Sequence, residues 1–188
     1  ATIVETGTND KRLTFVGTNS DELFTAWEPA MAYNSTDDEF LVVWHGSDNC
    51  HPDSFGCYNS HHNKYVIWGQ RIGPATGNKV GTKELIGHTS YLSDASYDSF
   101  KPDVAYNSTT NEYLVVWRAE DNDDGYIDDE FEIYGRVIDA DMNWETNVFR
   151  ISQMGGAGNE ENEVGPPAVT YNAANNEYLV VWLSLIHI

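Results

Sequence analysis

The chain has 188 residues, with 30 acidic and 10 basic side chains and a formal net charge of −20 at pH 7. So acidic a surface argues against nucleic acid as a partner, because phosphate binding requires basic side chains, and it disfavours an anionic membrane for the same reason. The longest apolar runs have the length of a strand, so no membrane insertion is expected. Cations and neutral polymers such as glycans remain as candidate partners.

The first 28 residues are predicted to form the second half of a repeat unit whose first half is missing. Thr2–Glu5 and Arg12–Val16 align with the third and fourth strands of the later units. The segment shows no signal peptide, and the chain begins at Ala1. We therefore expect a mature, trimmed or truncated chain.

A segment of 16 residues occurs three times and organises the rest of the chain. It reads PAMAYNSTDDEFLVVW at Pro29–Trp44, PDVAYNSTTNEYLVVW at Pro102–Trp117 and PAVTYNAANNEYLVVW at Pro167–Trp182. Each outer copy matches the middle one at 11 of 16 positions, and the closing tryptophans are 73 and 65 residues apart. The chain is therefore built from repeats of about this length.

Each complete unit is predicted to contain four short strands. In the second unit Asp103–Tyr106 is the first strand, Asn107–Asn111 is a turn and Glu112–Trp117 is the second strand. Side chains alternate along a strand, and both faces of Glu112–Trp117 are apolar, so we expect this strand to be covered on both sides. The remaining candidates in the two units are Tyr65–Ile72 with Thr82–Ile86 and Phe131–Ile138 with Asn147–Ser152.

Because the chain has short predicted strands and no long helical period, the apolar faces of its sheets can be covered only by other sheets. Radial packing of four-stranded antiparallel blades achieves this, so the predicted fold class is all-β and β-propeller-like. Two full blades and two half blades make the propeller incomplete. The predicted boundaries are 1–28 for the second half of a preceding blade, 29–101 for blade 1, 102–166 for blade 2, 167–182 for the first half of blade 3, and 183–188 for a tail.

The repeats resemble a bacterial secreted β-propeller repeat of the type PAVAYN…NEYLVVW…IYGQR. The resemblance covers Pro29–Trp182 and implies a multi-blade propeller that is secreted or displayed at the cell surface, without a catalytic motif that could be transferred. The tail, residues 183–188, reads LSLIHI and matches neither earlier unit. It looks like a translated sequencing-adapter sequence, so we expect an artefact tail on a fragment of a longer chain. The alternatives are an ordinary short hydrophobic tail, and a chain that closes by pairing its own ends or by pairing with another copy.

The segment between the second and third strands differs most between units. In the second unit it contains eight carboxylates between positions 120 and 132. Crowded like charges are either solvated or bound to a cation, and Ca²⁺ takes several carboxylate and carbonyl oxygens. Aligning Gly125 with the sixth position of a calcium loop makes the candidate ligands Glu120, Asn122, Asp124 and Asp128. The twelfth position is not Glu, so the loop is not an EF-hand, and a solvated acidic hairpin tip stays open as the alternative.

The same segment of the first unit holds Cys50 and Cys57, the only cysteines of the chain. In a secreted protein such a pair is most simply a disulfide, which would stabilise the fold by roughly 2–3 kcal/mol. Zinc bound by the two cysteines and two histidines is a second interpretation. The third is that the cysteines form neither a disulfide nor a zinc site. The nearby histidines are His45, His51, His61 and His62.

Catalytic patterns are weak in this chain. Acidic pairs are too numerous for a glycosidase pair to be singled out, and neither a G-x-S-x-G elbow nor a Walker-type loop occurs. Asn34 and Asn107 each begin an N-glycosylation pattern, but they lie at the repeated turn and are interpreted as turn residues. Trp27 and Trp144 lie in predicted connections and are candidates for stacking on a sugar.

The leading functional hypothesis is an extracellular, non-catalytic binding or adhesion module whose acidic loops are stabilised by calcium. Its partner would be an extracellular glycan or another protein. One alternative is a propeller scaffold of a secreted hydrolase or lyase that acts on polysaccharide. Another is a structural fragment that self-associates through open blade edges, which are prone to pairing.

Overall fold

The structure is a computed structural model and describes residues 25–47, 65–74, 77–87, 98–120, 131–153 and 162–186. Within these ranges the regular structure consists of antiparallel strands. The strands predicted at Thr2–Glu5 and Arg12–Val16 lie outside the described residues.

Two four-stranded sheets follow one another along the chain. The first sheet runs in the order β1 Ala26–Asn34, β2 Glu39–Ser47, β3 Tyr65–Ile72 and β4 Lys79–Gly87. The second sheet runs in the order β5 Ser99–Asn107, β6 Glu112–Glu120, β7 Phe131–Asp139 and β8 Phe149–Arg150. In the third unit, β9 Asn162–Val164 pairs with β12 Ser184–Ile186, and β10 Ala168–Asn172 pairs with β11 Glu177–Val181.

The prediction of separate four-stranded antiparallel sheets is confirmed for the first two units. The tryptophan-ended strands β2, β6 and β11 lie in three different sheets. The first strands are longer than predicted, because a bulge between Phe100 and Asp103, and another between Trp27 and Ala30, lets pairing resume beyond the repeated proline. Trp27 therefore lies within β1. The prediction that it lies in a connection is wrong.

The strand β6 is covered on both faces, as its two apolar faces predicted. Tyr113, Val115 and Trp117 are completely buried and belong to one core cluster with Leu41 and Val43 of β2. We call this side of a sheet, which packs on the preceding unit, its leading face. The opposite side, formed in β6 by Leu114 and Val116, is also buried and is called the trailing face.

The two faces keep the same roles in every unit. On β2 the residues equivalent to the trailing pair of β6 are Leu41 and Val43, and they pack on the second sheet. The first strands lie side by side, with β5 between β1 and β10. Consecutive units therefore stack leading face on trailing face, in chain order.

The repeated asparagines form the turns that join the first two strands of each unit. Asn34 Oδ1 accepts hydrogen bonds from the backbone N–H groups of Thr36 at 2.8 Å and Asp37 at 3.0 Å. Asn107 Oδ1 accepts equivalent bonds from Thr109 and Thr110. Both asparagine side chains are buried. This supports the interpretation as turn residues, because a buried amide engaged in hydrogen bonds is not accessible to glycosylation.

Candidate functional site

A cleft of about 250 Å³ lies where the first strands of the three units come together. The bulges of β1 and β5 bring residues just before and after the repeated proline to its wall. Equivalent positions of the third unit complete the lining, which consists of Glu28, Pro29, Lys101, Pro102, Asp103, Pro166 and Pro167. We call this site the proline cleft.

The backbone of the bulges sets the direction of the charged side chains. Glu28 and Lys101 occupy equivalent positions and adopt φ values of 50° and 52°, in the left-handed region that non-glycine residues rarely adopt. The third unit has Pro166 there, which cannot take a positive φ. Such strained positions persist only where the surrounding structure fixes them, and they cluster at functional sites.

Opposite charges meet on the wall of the cleft. Lys101 Nζ lies 3.1 Å from Glu28 Oε1, and the two side chains are 39% and 47% exposed. Because solvent screens a pair this exposed, the ion pair adds little stability by itself. It leaves a cation and an anion accessible beside a rigid apolar base of prolines.

His45 lies behind the ion pair. Its Nδ1 is 3.7 Å from Glu28 Oε2, and its ring packs edge-on against Tyr65 and Phe100. Burial lowers the pKa of His45 below its usual value. Glu28 and Asp98 oppose that shift, and Lys101 adds to it. The histidine is therefore a buried neutral ring under the cleft, held between two units.

Asp103 joins the cleft to the third unit. Its Oδ1 accepts a hydrogen bond from its own strand neighbour Val104 N at 2.9 Å, and its Oδ2 accepts one from Val169 N at 2.8 Å. Both carboxylate oxygens are thus engaged by backbone donors. The aspartate thereby ties β5 to β10 at the cleft.

Of the four predicted calcium ligands, only Glu120 lies among the described residues, and Asn122, Asp124 and Asp128 lie outside them. Glu120 ends β6 opposite Phe131, and its Oε2 accepts a hydrogen bond from Asp98 N at 3.0 Å. Within the described ranges no group of three or more His, Cys, Asp or Glu side chains is placed to hold a metal ion. The calcium loop stays a prediction.

Glu132, counted in the acidic segment, has a different environment from the one expected. It is completely buried, with Arg150 Nη2 2.5 Å from its Oε1 and the Ser152 hydroxyl donating to its Oε2. The expectation that these carboxylates are solvated or bound to a cation is wrong for Glu132, because Arg150 neutralises it inside the second sheet.

The predicted disulfide partners Cys50 and Cys57 lie outside the described residues, as do His51, His61 and His62. The disulfide and zinc interpretations therefore stay predictions. His45, the remaining histidine of that set, is placed under the proline cleft.

The two tryptophans considered for sugar stacking are both exposed, Trp27 by 57% and Trp144 by 49%. Trp144 already has a partner, because the Arg136 guanidinium lies 3.9 Å from the centroid of its ring and its Nε1 donates to Leu85 O at 3.2 Å. Trp144 therefore connects the two sheets, whereas Trp27 lies in β1, next in sequence to Glu28 of the proline cleft.

The proline cleft was not predicted from the sequence. The only signal for it was the proline that opens each repeat, at positions 29, 102 and 167. Nothing in the sequence showed that the residues before Pro29 and Pro102 would take a positive φ and turn their side chains into a shared cleft.

The fold defines the class of this protein as all-β, built from antiparallel sheets that stack unit by unit. No protein-family model matches the chain, and no curated protein matches it significantly. Among the described residues there is no helix with the length and apolar character needed to cross a membrane.

Proposed function

We propose that the protein is an extracellular, non-catalytic β-propeller module that binds a glycan or another protein through the proline cleft. Calcium bound by the acidic loop of the second unit would stabilise it. The repeats support the propeller architecture, because consecutive sheets pack face on face with their first strands adjacent, which is the relation between neighbouring blades.

The observation that carries the binding function is the position of the cleft. It gathers equivalent residues from three units at one place, and binding sites commonly form as concave pockets between structural units. The exposed Lys101 and Glu28 provide one donor and one acceptor, and the prolines provide an apolar wall that loses little entropy on binding. A neutral polyhydroxylated ligand or a polar peptide segment satisfies this combination.

The test is binding of the labelled chain to an array of extracellular glycans, with calcium and with chelator. We expect Lys101→Ala to weaken binding by about 10-fold, because it removes one polar contact with the ligand. A 10-fold increase in Kd corresponds to a loss of about 1.4 kcal/mol in binding free energy. The matched control is Lys79→Ala, an exposed lysine of β4 away from the cleft, which should bind as the wild type. An array without signal in the presence of calcium would exclude a glycan as the ligand. Equal losses of binding in both variants would exclude the proline cleft as the binding site.

Two further measurements separate this proposal from its competitors. Turnover of any polysaccharide by the purified chain would contradict a non-catalytic module. A crystal structure with β1, β5 and β10 around a common axis would support the propeller, whereas sheets in a flat stack would contradict it.

A further inference from the structure

The two ends of the described stack carry complementary open surfaces. On β11, Leu179 and Val181 of the trailing face are 59% and 51% exposed. The equivalent pairs, Leu114 with Val116 and Leu41 with Val43, are buried. The third unit therefore leaves exposed the apolar surface that, in the first and second units, packs against the unit that follows.

The leading face of the first sheet is open at β1. Met31 and Tyr33 are 64% and 46% exposed, whereas the equivalent Val104 of β5 is buried in the interface with the first sheet. On the neighbouring strand β2, Val42 and Trp44 are already buried. The open part of this face is therefore its first strand, β1. In each interface between consecutive units of the chain, the first strands of the two units lie side by side.

Polar groups at the two ends also match. Inside the chain, Asn107 Nδ2 donates to Asn176 Oδ1 of the next unit at 3.1 Å. At one end Asn172, equivalent to Asn107, is exposed. At the other end Asp38, equivalent to Asn176, accepts a hydrogen bond from Tyr33 OH at 2.7 Å, as Asn176 does from Tyr171 at 2.9 Å. Asn172 supplies a donor and Asp38 an acceptor at the two positions that, inside the chain, form the hydrogen bond between neighbouring units.

We propose that the trailing face of the third unit binds the leading face of the first unit in a second copy of this chain. The contact would reproduce the part of the internal interface in which Leu41 and Val43 of β2 pack on Val104 of β5. Leu179 and Val181 would lie against Met31 and Tyr33. The contact joins two different surfaces and is therefore heterologous, so copies associate head to tail. It uses blade faces, unlike strand pairing at open edges, and it does not depend on which ligand the proline cleft takes.

Charge determines the conditions in which the contact forms. Each copy carries a net charge of −20, so two copies repel one another over the screening length. Raising the salt concentration shortens that length to about 3 Å at 1 M and strengthens apolar association. We expect the apparent mass to rise with protein concentration, and to rise further with salt.

The experiment measures the mass of the whole chain by sedimentation velocity over a range of concentrations. Leu179→Lys and Met31→Lys each place a charge on one exposed face, and each variant alone should stay a monomer. An equimolar mixture of the two should form dimers and nothing larger, because each copy keeps one intact face. The control Thr82→Lys adds the same charge to the outer strand β4 and should associate as the wild type.

Each contrary outcome overturns the proposal. A wild-type mass that is independent of concentration and salt removes the interface. A mixture that stays monomeric shows that the two faces do not bind one another, and a Leu179→Lys variant that still associates shows that a different surface is used. Because glycan binding is measured separately, failure here leaves the proposed function untouched.

Discussion

Asn34 in the first unit donates from Nδ2 to Oδ1 of Asn111 in the second unit at 3.1 Å, across 77 residues of chain. The same contact joins Asn107 to Asn176 one unit later, also at 3.1 Å. Asn111 ends its turn with a φ of 59°, a conformation that asparagine tolerates better than most residues. The turn of each unit is thereby held in place by the turn of the next.

Removing this contact should cost stability only where a following unit exists. Asn34→Ala removes the acceptor of the Thr36 and Asp37 N–H groups and one of the donors to Asn111 Oδ1, which still accepts from Tyr106 OH. We expect a loss of about 1–3 kcal/mol in the free energy of unfolding. The measurement is urea denaturation at a dilution that keeps the chain monomeric. Asn172→Ala is the matched control, because Asn172 accepts the same turn bond from Ala174 N at 3.1 Å but is exposed. Equal losses in both variants would show that the contact between units contributes nothing.

Close packing between the sheets predicts a strong effect at Gly87. A Cβ added to Gly87 would lie 2.6–2.9 Å from ring atoms of the buried Trp117. Gly87→Ala should therefore destabilise the protein by roughly 1–3 kcal/mol, as expected for overpacking in a core. Gly73→Ala is the control, since its Cβ would meet no atom closer than 3.7 Å. Thermal unfolding of the two variants measures the difference, and a neutral Gly87→Ala would mean that the sheets are less closely packed.

Local alternation along the chain predicted the first two strands of each described unit and the burial of β6 on both faces, whereas β9 and β12 were not predicted and β12 lies in the segment interpreted as a tail. The period of two in Glu112–Trp117 indicated two apolar faces, and both are buried. These features depend on neighbouring residues, which a single sequence displays directly.

Contacts that depend on register between distant units were not predictable. The pair of Lys101 with Glu28 requires two bulges in separate sheets to coincide, and no local pattern encodes that coincidence. The same holds for Glu132, whose acidic neighbours indicated solvent or a cation, although a partner 18 residues away in sequence, Arg150, neutralises it. Charge counts along a segment do not reveal which side of the strand each charge occupies.

The cysteine pair of the first unit gives a direct prediction. If Cys50 and Cys57 form a disulfide, the unreduced denatured protein has no titratable thiol. Reduction should then lower the free energy of unfolding by roughly 2–3 kcal/mol. A Cys50→Ser, Cys57→Ser double variant is the control and should not respond to reductant. Two titratable thiols would exclude the disulfide, and bound zinc released on their titration would support the metal interpretation.

Calcium should stabilise the protein through the acidic loop. At a free calcium concentration about 100 times Kd, a site in the folded state adds about 2.7 kcal/mol, which raises Tm by about 5–10 °C for a chain of this size. Asp124→Asn with Asp128→Asn should abolish the shift, whereas Glu145→Gln, an exposed carboxylate elsewhere in the second unit, should retain it. Calorimetric melting with calcium and with chelator makes the comparison. A Tm that is the same in both conditions would rule out a calcium site that contributes to stability.

The buried histidine under the cleft predicts a loss of stability in acid. Burial lowers the pKa of His45 in the folded state, so the unfolded chain takes up a proton more readily. Stability from this group is complete above the unfolded value of about 6.5 and falls as the pH drops from there toward the folded pKa. The loss is at most about 1.4 kcal/mol per pH unit for one proton.

His45→Gln removes this titration and keeps a neutral polar side chain. The free energy of unfolding is measured for both proteins at about pH 7.5 and about pH 5.5, which lie on either side of the unfolded value. The wild type should lose more stability than the variant between the two conditions, because the carboxylates titrate alike in both proteins and cancel in the comparison. Identical losses would mean that His45 is protonated as easily in the folded state as in the unfolded chain, and that Glu28 and Asp98 outweigh the effect of burial.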